Sequence, residues 1–297
     1  MPQLIITKTD KIKHMISFIK LLLASIFLTS TSLIAQDFQG IATYKSQRKF
    51  DIKLDSTQMN SEMHQRMMAM MKKQFEKTHI LTFNKEESIY KEDEQLEAPQ
   101  PQGMVMVMVE TGGSDVMYKN TKEKRYTNQN ESFSKLFLIR DKLEDIKWEL
   151  GSETKNIGDY TCYKATFKRE VEVRQSGISV HGDKDLDEEI KPEMKEITVT
   201  AWYTPQIPVN TGPAQYHGLP GLILEVSDGT TTMICSKVVL NPEKTVEIKE
   251  PTKGQKVTQK KYDDMMEKKM KEMNERMRDN RERGDGHGIE IRIGDGN

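Results

Sequence analysis

The sequence predicts an α+β protein, mainly antiparallel β, with a methionine-rich helix inserted near the N-terminus and a long helix at the C-terminus. Three observations carry that expectation. Short runs of alternating apolar and polar residues, broken by turns at close spacing, recur between Gln39 and Leu240; that is the pattern of antiparallel strands rather than of βαβ units. After the first run the period changes: Met59, Met63, Met67 and Met71 recur every four residues and share one helical face. Beyond Pro251 the chain becomes dense in Lys, Glu, Arg and Met, with Met266, Met270, Met273 and Met277 at helical spacing.

Taken in order, residues 1–35 read as a cleaved secretory signal. Lys11, Lys13 and Lys20 precede the apolar run from Leu21 to Leu28, and Leu33-Ile34-Ala35 leads into Gln36. The run is too short to span a bilayer with ease, and no second one follows. No cysteine stands at the junction to take a lipid, and Met15 would serve as well as Met1 for a start. The expectation is a secreted or periplasmic chain beginning near Gln36, with no integral membrane span after cleavage. Residues 36–250 form a β-rich domain and residues 251–297 a charged helical extension with a glycine-rich polar tail.

Within the domain, Gln39 to Lys45 is a first strand and residues 56–77 are the inserted helix. Ile80 to Phe83 and Ser88 to Lys91 form a hairpin across Asn84 to Glu87. Ala98 to Gly103, carrying Pro99 and Pro101, is a loop. Met104 to Val109, Val116 to Tyr118, Lys124 to Thr127, Glu131 to Leu138, Ile146 to Leu150 and Tyr160 to Lys168 continue the strands. Lys184 to Glu193 is a charged, exposed loop. Glu196 to Thr204 returns to strand, with Ile197, Val199, Ala201 and Tyr203 on one face. Leu222, Leu224 and Val226 share a face of the next strand, which pairs with Thr230 to Leu240 across a tight turn.

Between those last strands lies the most punctuated stretch of the chain. Pro205, Pro208, Pro213 and Pro220 each fix φ and remove a backbone donor, so this loop loses little entropy on ordering. Trp202, Tyr203 and Tyr216 supply packing surface, and Gly218 and Gly221 bracket Leu219-Pro220 where a turn needs small residues or positive φ. Leu219 and Leu222 are placed as anchors. Two readings stand: a rigid recognition loop, or a plug closing the end of a sheet. The apolar anchors favour the plug, because they bury more area than they expose. His217 is the only titratable ring in the loop.

The run Gly218-Leu219-Pro220-Gly221-Leu222-Ile223 resembles the signature of the GLPGLI family of secreted Bacteroidota-type proteins. Supporting stretches run from Ile157 to Ala165 and from Ala201 to Pro205. The resemblance implies an exported, β-rich protein and carries no catalytic residue across, since the family has no settled function. His217 departs from the small residue common before the signature. Inside that class the fold expected is an open, curved sheet or half-barrel with helices on one side.

Composition narrows the function. At 297 residues, 31% charged, with a formal net charge of -1, the chain has no long-range attraction for nucleic acid or an anionic membrane. Protein, peptide or lipid-like partners remain. No nucleophile elbow, zinc-protease helix, phosphate loop or dinucleotide fingerprint occurs, and no cofactor is implied. Asp183 to Glu189 opens like a calcium loop but lacks its glycine and its final glutamate.

Cys162 and Cys235 admit a disulfide in an oxidising compartment or two separate buried thiols; alternation puts each on a face with the lysine two residues on. The methionines are the compositional oddity, 19 in all. Met63, His64, Met67, Met68 and Met71 admit three readings: core filling, an adaptable binding surface, or soft-metal binding of Cu(I) or Ag(I). Packing is favoured, because an amphipathic helix needs no metal. The function expected is an exported, non-enzymatic binding or assembly module. Soft-metal handling by the methionine helices and an unrecognised periplasmic hydrolase are the alternatives.

Overall fold

The computed structural model describes residues 38–48, 76–93, 115–173, 193–244 and 246–282, and all but Phe38 belong to one compact unit, Gln39–Asn297. Its strands are β1 (Gly40–Arg48), β2 (Lys77–Phe83), β3 (Glu87–Glu92), β4 (Val116–Asn120), β5 (Arg125–Ser132), β6 (Lys135–Lys142), β7 (Glu149–Ile157), β8 (Tyr160–Val173), β9 (Glu193–Thr204), β10 (Leu222–Ser227), β11 (Thr231–Leu240) and β12 (Gln255–Val257). One helix, α1, spans Gln259–Glu282. All twelve strands join a single open sheet in the order β12-β6-β5-β4-β3-β2-β1-β11-β10-β9-β8-β7. Neighbours are antiparallel except β12, which lies parallel to β6.

Paired residues share a face, so the register traces the sheet's two sides. One row runs Ala42, Leu81, Tyr90, Met117, Asn128, Ile139 from β1 to β6. A second runs Ala165, Ala201, Val226, Met233, Ser46 from β8 back to β1. Ala42 and Ser46 are four apart on β1, so both rows belong to one face. That face is the inner one. It holds the cluster of Ala165, Val199, Ala201, Tyr203, Tyr216, Leu219, Ile223 and Val226. It also holds Phe137 and Ile139, packed under Tyr262, Met265 and Met266 of α1. Thr258 caps the helix, its Oγ1 accepting from the Lys261 amide at 3.4 Å, while Asp141 Oδ2 accepts from the Gln259 amide at 3.0 Å.

The two ends of the strands differ. At one lie tight turns at 84–86, 121–124 and 158–159 and the loop 205–221. Asn84 and Asn120 close their turns, Asn84 Oδ1 accepting from the Glu86 and Glu87 amides and Asn120 Oδ1 from the Glu123 amide. From the other end leave all three connections that lie outside the described residues, 49–75, 94–114 and 174–192.

This architecture overturns the α+β class. Among the described residues strands dominate and α1 is the one helix. The methionine-rich stretch 56–75 lies outside them, and Lys77, expected at that helix's end, is the first residue of β2. The sheet is larger than expected because alternation continues through charged residues that serve as the solvent side. β8 runs to Val173, and β7 forms from Glu149–Ile157, whose side chains are nearly all exposed.

Smaller corrections have local causes. Glu131 to Leu138 is not one strand: Phe133 and Ser134 adopt φ of 50° and 57° and form the turn between β5 and β6. Ile146 to Trp148 is irregular, and strand begins only at Glu149. A bulge between Ile223 and Glu225 shifts the phase of β10. Ile223 and Val226 therefore share the inner face, and Leu222, Leu224 and Val226 do not form a row. Met104 to Val109 and the calcium-like run 183–189 lie outside the described residues.

Candidate functional site

The loop 205–221 lies against the inner face at the turn-bearing end. Ile207, Val209, Pro213, Tyr216, Leu219 and Gly221 are buried, while Pro205, Pro208 and Pro220 are exposed. Its backbone is tied to its own strands: the Leu222 amide donates to Ile207 O at 3.0 Å and the Ile223 amide to Thr211 O at 3.1 Å. Asn210 Oδ1 accepts from the Gly218 amide at 2.6 Å. Gln206 Oε1 accepts from the Thr161 amide at 2.9 Å. The side-chain oxygens of Gln206 and Asn210 are thus engaged within the fold.

The strongest tether comes from across the sheet. Lys119 on β4 is fully buried, and its Nζ donates to three loop carbonyls: Gly212 at 2.7 Å, Ala214 at 2.6 Å and Tyr216 at 3.0 Å. An ammonium has three donors, so none is left over. Beside it Ser88 Oγ on β3 lies 2.9 Å from Thr211 Oγ1. β3, β2, β1 and β11 separate β4 from β10 in the sheet, so these contacts require the sheet to curl around the loop. Burial pushes the Lys119 ammonium down to about 7; the three carbonyl acceptors work the other way, since each favours the charged form. With every donor committed, Lys119 acts as a clamp.

The connection from β6 to β7 closes over the same end. Trp148 Nε1 donates to His217 O at 2.8 Å, and its ring meets Phe167 edge-on with centroids 4.7 Å apart. His217 is buried, its Nδ1 2.9 Å from Gln215 O, and burial lowers its basicity. Gly218 takes φ of 95°. Gly221 is needed for space instead: a Cβ there would lie 2.2 Å from Thr204 O. Tyr44, on β1, donates its hydroxyl to Ile223 O at 2.6 Å.

At the opposite end the inner face is polar and incompletely paired. His79 on β2 stacks on Tyr90 at 4.8 Å with planes 5° apart. Among the described residues three buried side-chain atoms have no hydrogen-bond partner, His79 Nδ1, Asn128 Oδ1 and, on β8, Arg169 Nε. Tyr90 donates only to the Met233 thioether, at 3.8 Å, a weak acceptor. Asp115 pairs with Asn130 Nδ2, whose Oδ1 accepts from Tyr262 of α1 at 2.7 Å. Burial raises the Asp115 carboxyl, outweighing the Asn130 bond and Lys77, and burial lowers the His79 imidazole. Both shifts disfavour charge.

Of the residues singled out in the sequence, the loop residues Pro205, Pro208, Pro213, Gly218, Leu219, Pro220, Gly221 and Leu222 are brought together at one end. Trp202 is not among their supports. It points to the outer face, where Lys155 Nζ lies 4.4 Å from its ring centroid and pairs with Glu225 at 2.7 Å. Trp148 takes the packing role expected of it. Cys162 and Cys235 are free, buried thiols, on strands separated by β9 and β10. Burial pushes both thiols up to about 11. Cys235 and Lys237 also pair with adjacent residues of β1, Tyr44 and Thr43, so a bulge puts them on opposite faces. Met63, His64, Met67, Met68 and Met71 lie outside the described residues. Among the described residues no three His, Cys, Asp or Glu side chains converge as a metal site, and no helix is long and apolar enough to cross a membrane.

Residues 148–225 match a family model described as a protein of unknown function, Porph_ging. The match opens at the tryptophan that covers the loop and closes on β10, so it contains β7 to β9 and the whole proline loop. No curated protein matches the chain. Among solved structures, PNGF-II in a C2 and in a P21 crystal form is similar at 14% identity, with TM-scores of 0.42 and 0.43. Those alignments cover 77% of this chain and 32% and 33% of the other, so the chain spans about a third of that protein's length. A likeness this remote carries neither fold nor activity from one to the other.

Proposed function

We propose that this chain is an exported, non-enzymatic binding or assembly module of the GLPGLI type. One observation carries the reading: Lys119, the most deeply buried charged group among the described residues, spends its three donors on the carbonyls of Gly212, Ala214 and Tyr216. A group so committed has no donor or lone pair to offer a substrate, and the loop it holds is scaffold. Recognition then belongs to the other end of the strands. Export follows from the signal-like residues 1–35.

The test uses chain secreted by a producing cell. N-terminal sequencing should start near Gln36; full-length chain in the membrane fraction would contradict export. Lysine-directed cross-linking in that exported fraction should join partner to Lys91, at the connection-bearing end, and spare Lys85 and Lys122 in the turns beside the proline loop. Cross-links concentrated on Lys85 and Lys122 would place recognition at the loop and overturn the reading.

A further inference from the structure

We infer that the C-terminal arm, from Glu250 through α1, is an exchangeable element, and that its docking site on β5 and β6 accepts the arm of a second copy. Two chains then assemble by reciprocal exchange. This rests on the assembly-module reading and names the partner as another copy of this chain.

The arm docks far from where it leaves the sheet. β11 ends at Leu240, and β1 to β6 stand between it and β12. Among the described residues, every hydrogen bond and ion pair that ties the arm to the body ends on β5 or β6. On the outer face Glu250 accepts from Thr127 Oγ1 at 2.6 Å and pairs with Arg125 at 2.9 Å and Arg140 at 3.2 Å. At the edge β12 lies along Phe137 to Ile139. On the inner face the Tyr262 hydroxyl meets Asn130 Oδ1 and Ser132 Oγ, each at 2.7 Å. The arm thus clasps one hairpin from both sides.

The span that joins this clasp to β11 is held differently. Asn241 fixes its start, with φ of 46° and its amide donating to Gln39 O at 2.8 Å. From Pro242 to Lys249 no described residue hydrogen-bonds to a strand, and Lys249 pairs only within the span, with Glu247 at 4.0 Å. Such a span can be re-routed without breaking a directional contact, which is what a swapping hinge requires.

The site itself selects the occupant. Without β12, β6 presents a row of unpaired N–H and C=O groups, the kind of edge that pairs with another chain. A foreign strand would satisfy that edge alone. The arm of a second copy also brings Glu250 to the outer-face arginines and Tyr262 to the inner-face amide, so exchange keeps every contact of the closed form.

Light-scattering mass of the full chain tests this first. A tethered arm competes at an effective concentration of roughly a millimolar. The chain should therefore be monomeric at micromolar concentration and approach twice that mass near a millimolar. Glu250→Gln loosens the clasp in both arrangements, so it should leave that equilibrium in place and speed exchange at least fivefold. Complementary charge reversal then reads the path. One chain carries Arg125→Glu with Arg140→Glu, the other Glu250→Arg. Each repels its own arm; mixed, each arm finds opposite charge only on the other copy, and a one-to-one dimer should form at micromolar concentration. Should either variant lose its sheet by circular dichroism, the parent chain and Glu250→Gln decide. A parent chain that stays monomeric at every concentration overturns the inference. So does a dimer whose rate of formation ignores Glu250→Gln, or a mixture of folded variants that stays monomeric. Each of those results leaves the binding-module reading standing, whereas cross-links concentrated on Lys85 and Lys122 would defeat that reading instead.

Discussion

The two ends of the inner face hold comparable amounts of polar chemistry and treat it in opposite ways. At the turn-bearing end a buried ammonium, a buried imidazole and an indole N–H each find a partner within the chain, Lys119 on three carbonyls and Trp148 on His217 O. At the connection-bearing end Asn128 Oδ1 and His79 Nδ1 are buried without one. Burial without hydrogen bonding costs stability. The contrast marks the turn-bearing end as the more firmly held of the two.

The largest effect expected of any single change is at the clamp. Lys119→Met removes three hydrogen bonds and strands three buried carbonyls at roughly 1–3 kcal/mol each, so a loss of about 3 kcal/mol or more is expected, less whatever relief comes from removing a desolvated charge. Chemical denaturation measures it. A melt like the parent's would mean the turn-bearing end is no better satisfied than the other, and the contrast would vanish.

Leu222→Ala comes next. Leu222 is fully buried, and truncation should cost roughly 2–5 kcal/mol through lost burial and a residual cavity. Exposed Pro208, which stands between buried Ile207 and Val209, should tolerate Ala with almost no change in the same denaturation curve. Equal losses at both would show the loop packing on both faces.

The smallest effect has the opposite sign. Asp115 carries a carboxyl raised by burial, above its ordinary 3.8. A carboxyl raised in the folded state is favoured protonated, so its contribution weakens the fold once pH exceeds the folded value and is harmless below the unfolded one. Asp115 is nonetheless solvent-exposed as a residue, so Asp115→Asn should raise stability at pH 7 only slightly, and the gain should fade as pH falls below the free value. A loss at pH 7 would mean that end is as well satisfied as the other.

How much of this was legible follows from which physics each feature uses. Hairpins were readable because alternation and turn residues are local: Asn84 to Glu87 and the turn after Ser227 both stand where the pattern puts them. Phase was not, since the bulges at Leu224 and Ser236 are set by pairing with β9 and β1. The extent of the sheet was underestimated because Glu149–Ile157 exposes nearly every side chain, leaving periodicity nothing to register. Gly221 looked like a turn residue, yet what it needs is clearance from Thr204 O. Lys119 left one trace: it stands two residues from Met117, on the inward phase of β4, opposite Ser88. A lysine and a serine at inward positions signal a buried polar contact, but only the curl of the sheet reveals that the partner lies on a loop some ninety residues on, at Gly212 to Tyr216.

The central claim is that the proline loop is scaffold, held as firmly as the strands. Native-state hydrogen exchange of the Gly218, Leu222 and Ile223 amides, bonded to Asn210, Ile207 and Thr211, tests it most directly. These amides should exchange with the slow core of β9 and β10, through global unfolding, and drop to fast local exchange in Lys119→Met. Fast exchange at all three in the unmodified protein, while β9 and β10 stay protected, would show a loop free to move and contradict the account.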